Sequence, residues 1–291
     1  MNHAANQSLV VNAAALAFHF RKFLQRKSSM RLVSWNVNSV RQRLENLRQL
    51  TDTLQPDVIC LQETKVVDDD FPRDGLTAMG YGHHVIHGMK SYNGVAIFSR
   101  RPLREPQLLT WCGKTDRRHA AVLLPNGVEL HNFYVPAGGD IPDPKKNRKF
   151  AHKLKFIAEM NAWSAEMKRR QRPAIMVGDL NIAPLETDVW SHKQLLKVVS
   201  HTPREVKGLT AIQSAGEWVD AVRHFIPPAE RLYSWWSYRA RDWNASDRGR
   251  RLDHVWVTPS LASGLKSAQI LREARGWATP TDHVPVIVDF A

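Results

Sequence analysis

The sequence contains only two cysteines, Cys60 and Cys112, among its 291 residues. Two thiols cannot build a disulfide framework or a zinc site made of cysteines, so a catalytic metal would need oxygen or imidazole ligands. So few cysteines are typical of a reducing compartment, and we therefore expect a cytoplasmic protein.

Long apolar runs are also missing, because no hydrophobic stretch approaches the roughly 18 residues that span a bilayer. Acidic residues are scarce relative to basic ones: 28 Asp and Glu stand against 41 Lys and Arg, which gives a formal net charge of +13. This excess favours a polyanionic partner, either nucleic acid or an acidic membrane surface. Charge alone leaves both open.

The first 29 residues contain no acidic residue and carry a short apolar run, LVVNAAALAF. A secretory signal has its positive charge before such a run, whereas Arg21 and Lys22 follow it here. We therefore expect residues 1–29 to be a basic, poorly ordered leader outside the catalytic fold, with a DNA-contacting arm or an upstream start codon as alternatives. Residues 30–291 contain no linker rich in Gly, Ser or Pro and are predicted to form a single domain.

From Arg31 onward, short apolar runs alternate with longer amphipathic stretches. In the stretch 145–170, apolar residues recur with a period near 3.6, which predicts a long helix. The apolar runs at 97–98 and 121–124 are separated by Pro and Gly and predict antiparallel strands. The sequence therefore predicts an α/β fold whose sheets are mixed.

Polar side chains stand at the ends of six apolar runs. They are Asn36 and Asn38, Glu63, Tyr134, Asp179 and Asn181, Asp253, and the pair Asp282 and His283. One such case is ordinary turn or cap chemistry, and the stretch AIMVGDLNIAP read alone indicates nothing more. Six strand ends with Asn, Glu, Asp, Tyr or His together favour convergence on one cleft.

This set of side chains suits hydrolysis at phosphorus. A hard divalent cation takes carboxylate, amide oxygen and water ligands, and Glu63 fits that role. The attacking water needs a base, for which Asp179 is the candidate, and the phosphoryl oxygens need hydrogen-bond donors. The candidate donors are His283, Asn181 and Tyr134. A carboxylate commonly orients such a histidine, and Asp253 is the candidate partner.

The segments that carry these residues resemble, in order, the sequence blocks of the exonuclease III family, the Mg²⁺-dependent apurinic/apyrimidinic (AP) endonucleases of the endonuclease/exonuclease/phosphatase superfamily. The segments are RLVSWNVNSVRQR, DVICLQETK, GYGHHVIHGMKSYNGVAIFSR, NFYVPAGGD, VGDLNIAPLETDV, YSWWSYRARDWNASDRGRRLDHVWVTPSL and TPTDHVPVIVDF. The resemblance extends from about Met30 to the C-terminus. It implies a four-layered α/β sandwich of the DNase I-like kind, with two mixed sheets packed face to face and helices outside.

The resemblance also implies a role for each polar residue. It makes Glu63 a metal ligand with Asn36 beside it, and Asp282 completes an Asp-His motif near the metal. The residues that it places around the scissile phosphate are Tyr134, Asp179, Asn181, Asp253 and His283. The implied cofactor is Mg²⁺, for which Mn²⁺ can substitute.

Substrate-binding residues follow from the same resemblance. Those that resemble the DNA-backbone contacts are Arg41, Lys65, Lys90 and Tyr92, and those near the pocket for a base-free sugar are Trp235, Arg250 and Leu252. Arg250 is a departure from the family pattern, because it falls close to a position that is usually apolar. The implied partner is double-stranded DNA with abasic sites or blocked 3′ ends, bound by a monomer without any membrane.

The segment 233–251 interleaves aromatic residues with arginines, as expected of a DNA-binding surface. The arginines are Arg239, Arg241, Arg248, Arg250 and Arg251. The alternative is that the aromatic residues belong to the core and the arginines to a solvated loop. The run HHVIH at 83–87 and the acidic run at 68–70 are interpreted as a strand and a solvated loop, and not as metal sites.

We therefore predict a DNA repair nuclease that hydrolyses the phosphodiester 5′ to an abasic site, with 3′-phosphatase, 3′-phosphodiesterase and 3′ to 5′ exonuclease as further activities. Three alternatives stay open. The first is a 3′-end processing enzyme of the same family that does not incise abasic sites. The second is a phospholipid or phosphoinositide phosphodiesterase or phosphatase, and the third is an inactive DNA-binding module.

Overall fold

The computed structural model describes residues 29–291, and this range contains fourteen strands and seven α-helices. The strands are β1 Met30–Asn36, β2 Val58–Gln62, β3 His83–His87, β4 Val95–Ser99, β5 Arg104–Gln107, β6 His119–Leu123, β7 Glu129–Tyr134, β8 Ala174–Asp179, β9 Val219–Asp220, β10 Trp235–Trp236, β11 Gly249–Arg250, β12 Asp253–Val257, β13 Leu265–Ile270 and β14 Val286–Phe290. The helices are α1 Leu44–Leu54, α2 Arg73–Ala78, α3 Arg148–Arg170, α4 His192–Leu195, α5 Pro203–Ala215, α6 Trp243–Ser246 and α7 Pro259–Ala262. Short 3-10 helices cover Val40–Arg43, Glu186–Asp188 and Arg272–Gly276. The predicted leader lies outside the described residues, apart from Ser29.

Two six-stranded sheets form the centre of the fold, with strand orders β13-β14-β1-β2-β4-β3 and β5-β6-β7-β8-β12-β9. Only the β1–β2 and β7–β8 pairs are parallel, so both sheets are mixed, as the sequence predicts. The expected strands at 97–98 and 121–124 belong to β4 and β6, but they lie in different sheets and do not pair. The connection between them also contains β5, which pairs with β6 and so moves the chain to the second sheet.

The sheets pack face to face, and each is covered by helices on its outer side. Along β1, Leu32 belongs to the core between the sheets, whereas Val33 packs on the outer side with Leu47 of α1. The outer side of the second sheet packs against α3 and α5 through Phe156 and Ile212. Since both faces of each sheet are buried, the strands are nearly continuous apolar runs. The predicted four-layered sandwich is confirmed.

The long helix α3 begins later than the apolar period indicates, because Asn147 caps it. The Asn147 side chain accepts a hydrogen bond from the backbone N–H of Lys149 at 3.0 Å. The helix ends at Arg170, and the next residue, Gln171, has a left-handed backbone with φ 52°. Basic residues fill the last turn, where they complement the helix dipole. No helix within residues 29–291 has both the length and the apolar character of a membrane span.

Strand direction explains why the polar residues meet at one end of the sandwich. The parallel strands of each sheet end on the same side, so Asn36, Tyr134 and Asp179 stand at neighbouring carboxyl ends. Strand β12 runs antiparallel to β8, and its first residue, Asp253, therefore lies opposite Asp179. Strand β14 runs antiparallel to β1, which brings the segment before it, with His283, to the same edge.

Gly178 is a strand residue and not the turn residue that the Gly-Asp-Leu-Asn stretch suggests. It lies inside β8 with φ 140°, and a Cβ at this position would approach the Phe133 carbonyl oxygen of β7 to 1.9 Å. Glycine is required because only it permits this backbone conformation and this close approach of two strands. The position of Asp179, the next residue, depends on that approach.

We expect Gly178→Ala to lower the free energy of unfolding by about 2–4 kcal/mol, because the added methyl group forces the two parallel strands apart. Gly82→Ala is the matched control, since nothing lies within 4 Å of its Cβ position. The control should change stability by less than about 0.5 kcal/mol. Urea denaturation monitored by circular dichroism measures both, and equal stabilities would contradict the strand-contact explanation.

Candidate active site

The Asn36 amide joins two carboxylates that come from different sheets. Its Nδ2 donates to Glu63 Oε1 and to Asp179 Oδ2, both at 2.9 Å, and lies 3.4 Å from His283 Nε2. Its Oδ1 accepts from the backbone N–H of Asn38 at 3.1 Å, which fixes the orientation of the amide. Asn36 is fully buried, so these contacts replace its hydration.

His283 is held between two carboxylates. Its Nδ1 lies 2.8 Å from Asp253 Oδ2, as the sequence predicts, and its Nε2 lies 3.6 Å from Asp179 Oδ2. Ser234 Oγ donates to the same Asp253 oxygen at 2.6 Å and fixes that carboxylate. Burial would lower the pKa of His283, but Asp253 and Asp179 outweigh it and raise the pKa well above its usual value. The ring is therefore a cationic donor that points toward Asp179.

Asp179 is buried, and its carboxylate is surrounded by donors. Both the backbone N–H of Asn181 and its Nδ2 donate to Asp179, at 2.9 and 3.1 Å. Asn181 has a left-handed backbone with φ 56°, which turns its side chain back onto Asp179. Burial raises the pKa of Asp179 to about 7, although the charge of His283 opposes this rise. A carboxylate in this environment is more basic than one in water.

Tyr134 ends β7 beside the same carboxylates. Burial and the charges of Glu63 and Asp179 raise the pKa of Tyr134 well above its usual value, so its phenol keeps its proton. The guanidinium of Arg118 lies 4.9 Å from the centre of the ring, and it donates to the Tyr134 carbonyl oxygen at 3.2 Å. The phenol can therefore donate a hydrogen bond at any physiological pH.

Glu63 belongs to a cluster that has the chemistry of a cation site. One ligand atom each of Glu63, Asp179 and His283 lies within 4.8 Å of the others, and among residues 29–291 this is the single such group. Glu63 pairs with Lys65 Nζ at 2.8 Å. Burial opposes ionisation of Glu63, but Lys65 and Asn36 outweigh it and lower its pKa. The ionised carboxylate fits a hard divalent cation, to which the amide would offer its Oδ1 atom and not the Nδ2 atom that faces Glu63 here.

Asp282 lies beside this cluster and has different partners. Its Oδ2 accepts from Trp235 Nε1 at 2.9 Å, and its Oδ1 lies 3.4 Å from Asn38 Nδ2. Asn38 Oδ1 in turn contacts Lys65 Nζ, the partner of Glu63. Asp282 is therefore connected to Glu63 through two side chains and is not part of the three-residue group. Of the three predicted metal ligands, the structure brings Glu63 and Asn36 together, whereas Asp282 lies next to the cluster and outside it.

The basic residues that the sequence assigns to the DNA backbone lie mostly at the surface. Arg41, Lys90 and Tyr92 are exposed, and Tyr92 keeps 68% of its surface accessible. Lys65 is partly buried because it binds Glu63. Three of the four are therefore available to a partner that approaches the end of the sandwich where the site lies.

The predicted sugar pocket contains a guanidinium. Trp235 and Arg250 face each other across the β10–β11 ribbon, and Trp235 also forms a backbone bridge with His283. The Arg250 guanidinium carbon lies 5.1 Å from the centre of the Trp235 ring. Leu252 is only 4% exposed and packs below, in a small cluster with Val189. Of the three predicted pocket residues, Leu252 therefore supports the pocket from within the core.

Only part of the arginine-rich segment 233–251 is exposed, which corrects the expectation that the whole segment forms a DNA-binding surface. Arg239, Arg241 and Arg248 are exposed, whereas Arg251 is buried and pairs with Asp188 and Asp220. The aromatic residues are also divided, since Trp236 is 1% exposed and Tyr238 is 47% exposed. Pattern alone could not make this division, because neighbouring residues of one loop point in opposite directions.

Sequence reasoning missed the buried pair Lys153 and Glu205, whose side chains are 0% exposed. Lys153 Nζ lies 2.5 Å from Glu205 Oε1 and donates to the carbonyl oxygens of Asn181 and Ala137 at 2.8 and 3.2 Å. Because lysine is rarely buried completely, the sequence gave no indication that Lys153 lies on the buried face of α3. A signal for Glu205 existed in Thr-Pro-Arg-Glu, the capping box that starts α5 with Thr202.

The two runs dismissed as metal sites contain no metal-binding group in the described part of the chain. His87 Nδ1 lies 2.9 Å from the His119 carbonyl oxygen, and it therefore serves the sandwich core. Asp68 Oδ1 accepts from the backbone N–H of Gly88 at 2.6 Å, which fixes a loop. Both interpretations of the sequence are consistent with these contacts.

A two-sheet sandwich with this cluster at one end defines a hydrolase that acts on phosphate esters. Consistent with this, residues 33–283 match the model of the Endonuclease/Exonuclease/phosphatase family. The chain belongs to this family. The resemblance to its exonuclease III members is confirmed as well, as the relatives below indicate.

Exodeoxyribonuclease III of Haemophilus influenzae is 29% identical over 272 residues, which cover 90% of this chain and all of that protein. Among solved structures, an AP endonuclease from Archaeoglobus fulgidus superposes with a TM-score of 0.83 at 30% identity. A 3′-5′ exonuclease from Neisseria meningitidis superposes with a TM-score of 0.82 at 31% identity. Each of these two matches covers 90% of this chain and 99% of the other.

His254 follows Asp253 on β12, and we expect it to make stability depend on pH. Its Nε2 is 2.9 Å from the Ile182 carbonyl oxygen, and burial lowers its pKa from 6.5 to about 4. Above pH 6.5 the ring is neutral in both the folded and the unfolded chain. As the pH falls from 6.5 toward 4, the unfolded chain takes up a proton that the folded chain excludes, so stability is lost.

We expect this histidine to account for about 3 kcal/mol of the stability lost between pH 6.5 and pH 4. Urea denaturation of the wild type and of His254→Gln at several pH values measures the effect. The variant should be less stable at pH 7 and show a flatter pH dependence over this interval. Parallel curves for the two proteins would contradict a neutral, buried His254.

Proposed function

We propose that this chain is a Mg²⁺-dependent DNA repair nuclease that hydrolyses the phosphodiester 5′ to an abasic site and also processes blocked 3′ ends. The observation that carries the proposal is the Asn36 amide, which holds the Glu63 and Asp179 carboxylates together beside the His283–Asp253 pair. The names of the relatives support DNA as the substrate. The family match supports hydrolysis of a phosphate ester.

In this proposal Asp179 is the general base that takes the proton of the attacking water. Its raised pKa gives it the necessary basicity, and the two hydrogen bonds from Asn181 hold its carboxylate in place. Asp253 keeps the His283 ring oriented with Nε2 toward the reacting group. A phosphoryl group beside these residues meets a cationic donor on one side and a base on the other.

Hydrolysis forms a bond from the water oxygen to phosphorus and breaks the bond from phosphorus to a sugar 3′ oxygen, which leaves as a 3′-hydroxyl after it takes up a proton. Charge that develops on the phosphoryl oxygens is met by His283, by the Asn181 amide and by the Tyr134 phenol. Glu63 and Asn36 would hold the Mg²⁺ ion, for which Mn²⁺ can substitute. The bound ion supplies Lewis-acid stabilisation of the same charge.

DNA binding in this proposal rests on charge. The net charge of +13 and the exposed Arg41, Lys90 and Tyr92 provide a surface for phosphates at the rim of the site. We further propose that residues 30–291 act as one catalytic domain, as a monomer in the cytoplasm and without membrane contact. The lipid-directed alternative is not favoured, because the relatives named above are DNA-directed nucleases, whereas the positive charge suits either partner.

The decisive experiment uses three labelled duplexes: one with a central abasic-site analogue, one with a 3′-phosphate and one undamaged. Each is incubated with Mg²⁺ or with EDTA. We expect metal-dependent incision 5′ to the abasic site, conversion of the 3′-phosphate to a 3′-hydroxyl, and at most slow trimming of the undamaged duplex. No metal-dependent product from either damaged duplex would refute the proposed function.

Asp179→Asn should lower kcat by about 10²–10⁴-fold, because the amide cannot accept the proton of water. The substitution keeps the shape of the side chain, so the Kd for the abasic duplex in EDTA should change by less than about threefold. Single-turnover kinetics and fluorescence anisotropy measure the two quantities. An unchanged kcat would remove Asp179 from the role of base.

Glu63→Gln should raise the Mg²⁺ concentration for half-maximal rate by at least about tenfold, since it removes a charged ligand. Asp69→Asn is the control, because Asp69 is an exposed carboxylate six residues further along the chain. The control should leave the metal titration unchanged. If both variants titrate like the wild type, Glu63 does not bind the metal.

A further inference from the structure

Arg250 falls close to a position that the resemblance to the exonuclease III family predicts to be apolar, beside the expected pocket for a base-free sugar. Its guanidinium lies over the face of Trp235, with 5.1 Å from the guanidinium carbon to the ring centre. Nη1 donates to the Val199 carbonyl oxygen at 3.1 Å and to Ser200 Oγ at 2.8 Å. The side chain therefore spans from the ribbon to the turn before α5 and is fixed at both places.

Two consequences follow for anything that enters this pocket. One face of the Trp235 indole is covered, so an apolar sugar cannot stack on that face without moving Arg250 from its two acceptors. Its Nε is buried and cannot reach a substrate, so the donor left for a phosphate oxygen is Nη2, which has no hydrogen-bond partner among the described residues. A guanidinium with free donors binds phosphate oxygens well and apolar carbon poorly.

Arg250 carries the net positive charge beside the pocket, because the nearby cation Lys153 is neutralised by Glu205. Lys153 is fully buried, and its pKa is lowered mainly by burial and to a smaller extent by the charge of Arg250. Glu205 pairs with Lys153 and is the one acidic group that favours the charged form of Arg250. The pocket side of the site is therefore cationic, and it lies next to the backbone bridge between Trp235 and His283.

The two damaged substrates of the proposed function differ only in the group that the phosphorus carries opposite the leaving 3′ oxygen. In both reactions water attacks phosphorus and the bond to a 3′ oxygen breaks, so the leaving group is the same. An internal abasic site carries a base-free sugar on the other side and a single negative charge on the phosphodiester. A terminal 3′-phosphate carries only oxygens there, with a charge of about −1.5 to −2 at pH 7.

We propose that Arg250 is a specificity-determining residue that makes this enzyme prefer a terminal 3′-phosphate monoester to an internal abasic site. Arg250 closes the apolar pocket that a base-free sugar needs and presents a cation to the more highly charged monoester. The proposal rests on the proposed function and sets the balance between its two activities.

The test compares kcat/KM for the abasic duplex and for the 3′-phosphate duplex in three variants. Arg250→Leu removes the charge and uncovers Trp235, and Arg250→Gln removes the charge while keeping a side chain that can reach Ser200. Arg248→Leu is the matched control, because Arg248 lies two residues away, is exposed and stacks on Trp190 at 4.8 Å. Melting temperatures confirm that each variant is folded.

The wild type should favour the 3′-phosphate, and Arg250→Leu should shift the ratio of the two kcat/KM values toward the abasic duplex by at least about tenfold. Arg250→Gln should shift it in the same direction by loss of 3′-phosphate activity. Arg248→Leu should lower both activities together and leave their ratio unchanged.

Three results would overturn the proposal. The first is a wild type that prefers the abasic duplex, and the second is an unchanged ratio in a folded Arg250→Leu or Arg250→Gln. The third is an equal shift in Arg248→Leu, which would make the effect one of general charge. Failure of the proposed function is a separate observation, because the wild type would then convert neither damaged duplex.

Discussion

The rest of this structure depends on the hydrogen bonds that Asn36 makes across the two sheets. Its amide donates to Glu63, which follows a strand of its own sheet, and to Asp179, which ends a strand of the other. Carboxylates that are this close repel each other unless donors separate them. The amide and the His283 ring supply that separation, so the site exists only when both sheets are in register with each other.

Buried polar contacts beneath the site keep this alignment. Gln62 donates to the side chain of Asn132 at 2.7 Å in the core between the sheets, and Asn132 donates back to the Leu61 carbonyl oxygen at 3.0 Å. Lys153 holds the loop after β8 and the loop after β7 through their carbonyl oxygens. Polar groups buried in this way have few alternative partners, so each contact permits one arrangement of the loops.

Neighbouring groups of opposite charge or with free acceptors also explain why charged side chains are buried around the site. The site needs cationic side chains to bind a phosphate and carboxylates to bind a metal ion, and both kinds of side chain must be buried close together. His283 is charged because Asp253 and Asp179 flank it, and Lys153 tolerates burial because Glu205 accepts from it. Arg250 adds a further cation at the edge of this arrangement, where the guanidinium is held by a ring face and two oxygens.

The sequence by itself determined the α/β class and the kind of chemistry, and its resemblance to a known family implied the layered sandwich. Apolar runs buried on both faces indicate sheets covered by helices, and Asn36, Glu63, Asp179 and His283 stand at run ends where strand direction brings them together. Only the tertiary structure decided that strands 95–99 and 119–123 lie in different sheets and that Lys153 is buried. Such facts depend on contacts between distant segments, whereas local periodicity records only which face of one element avoids water.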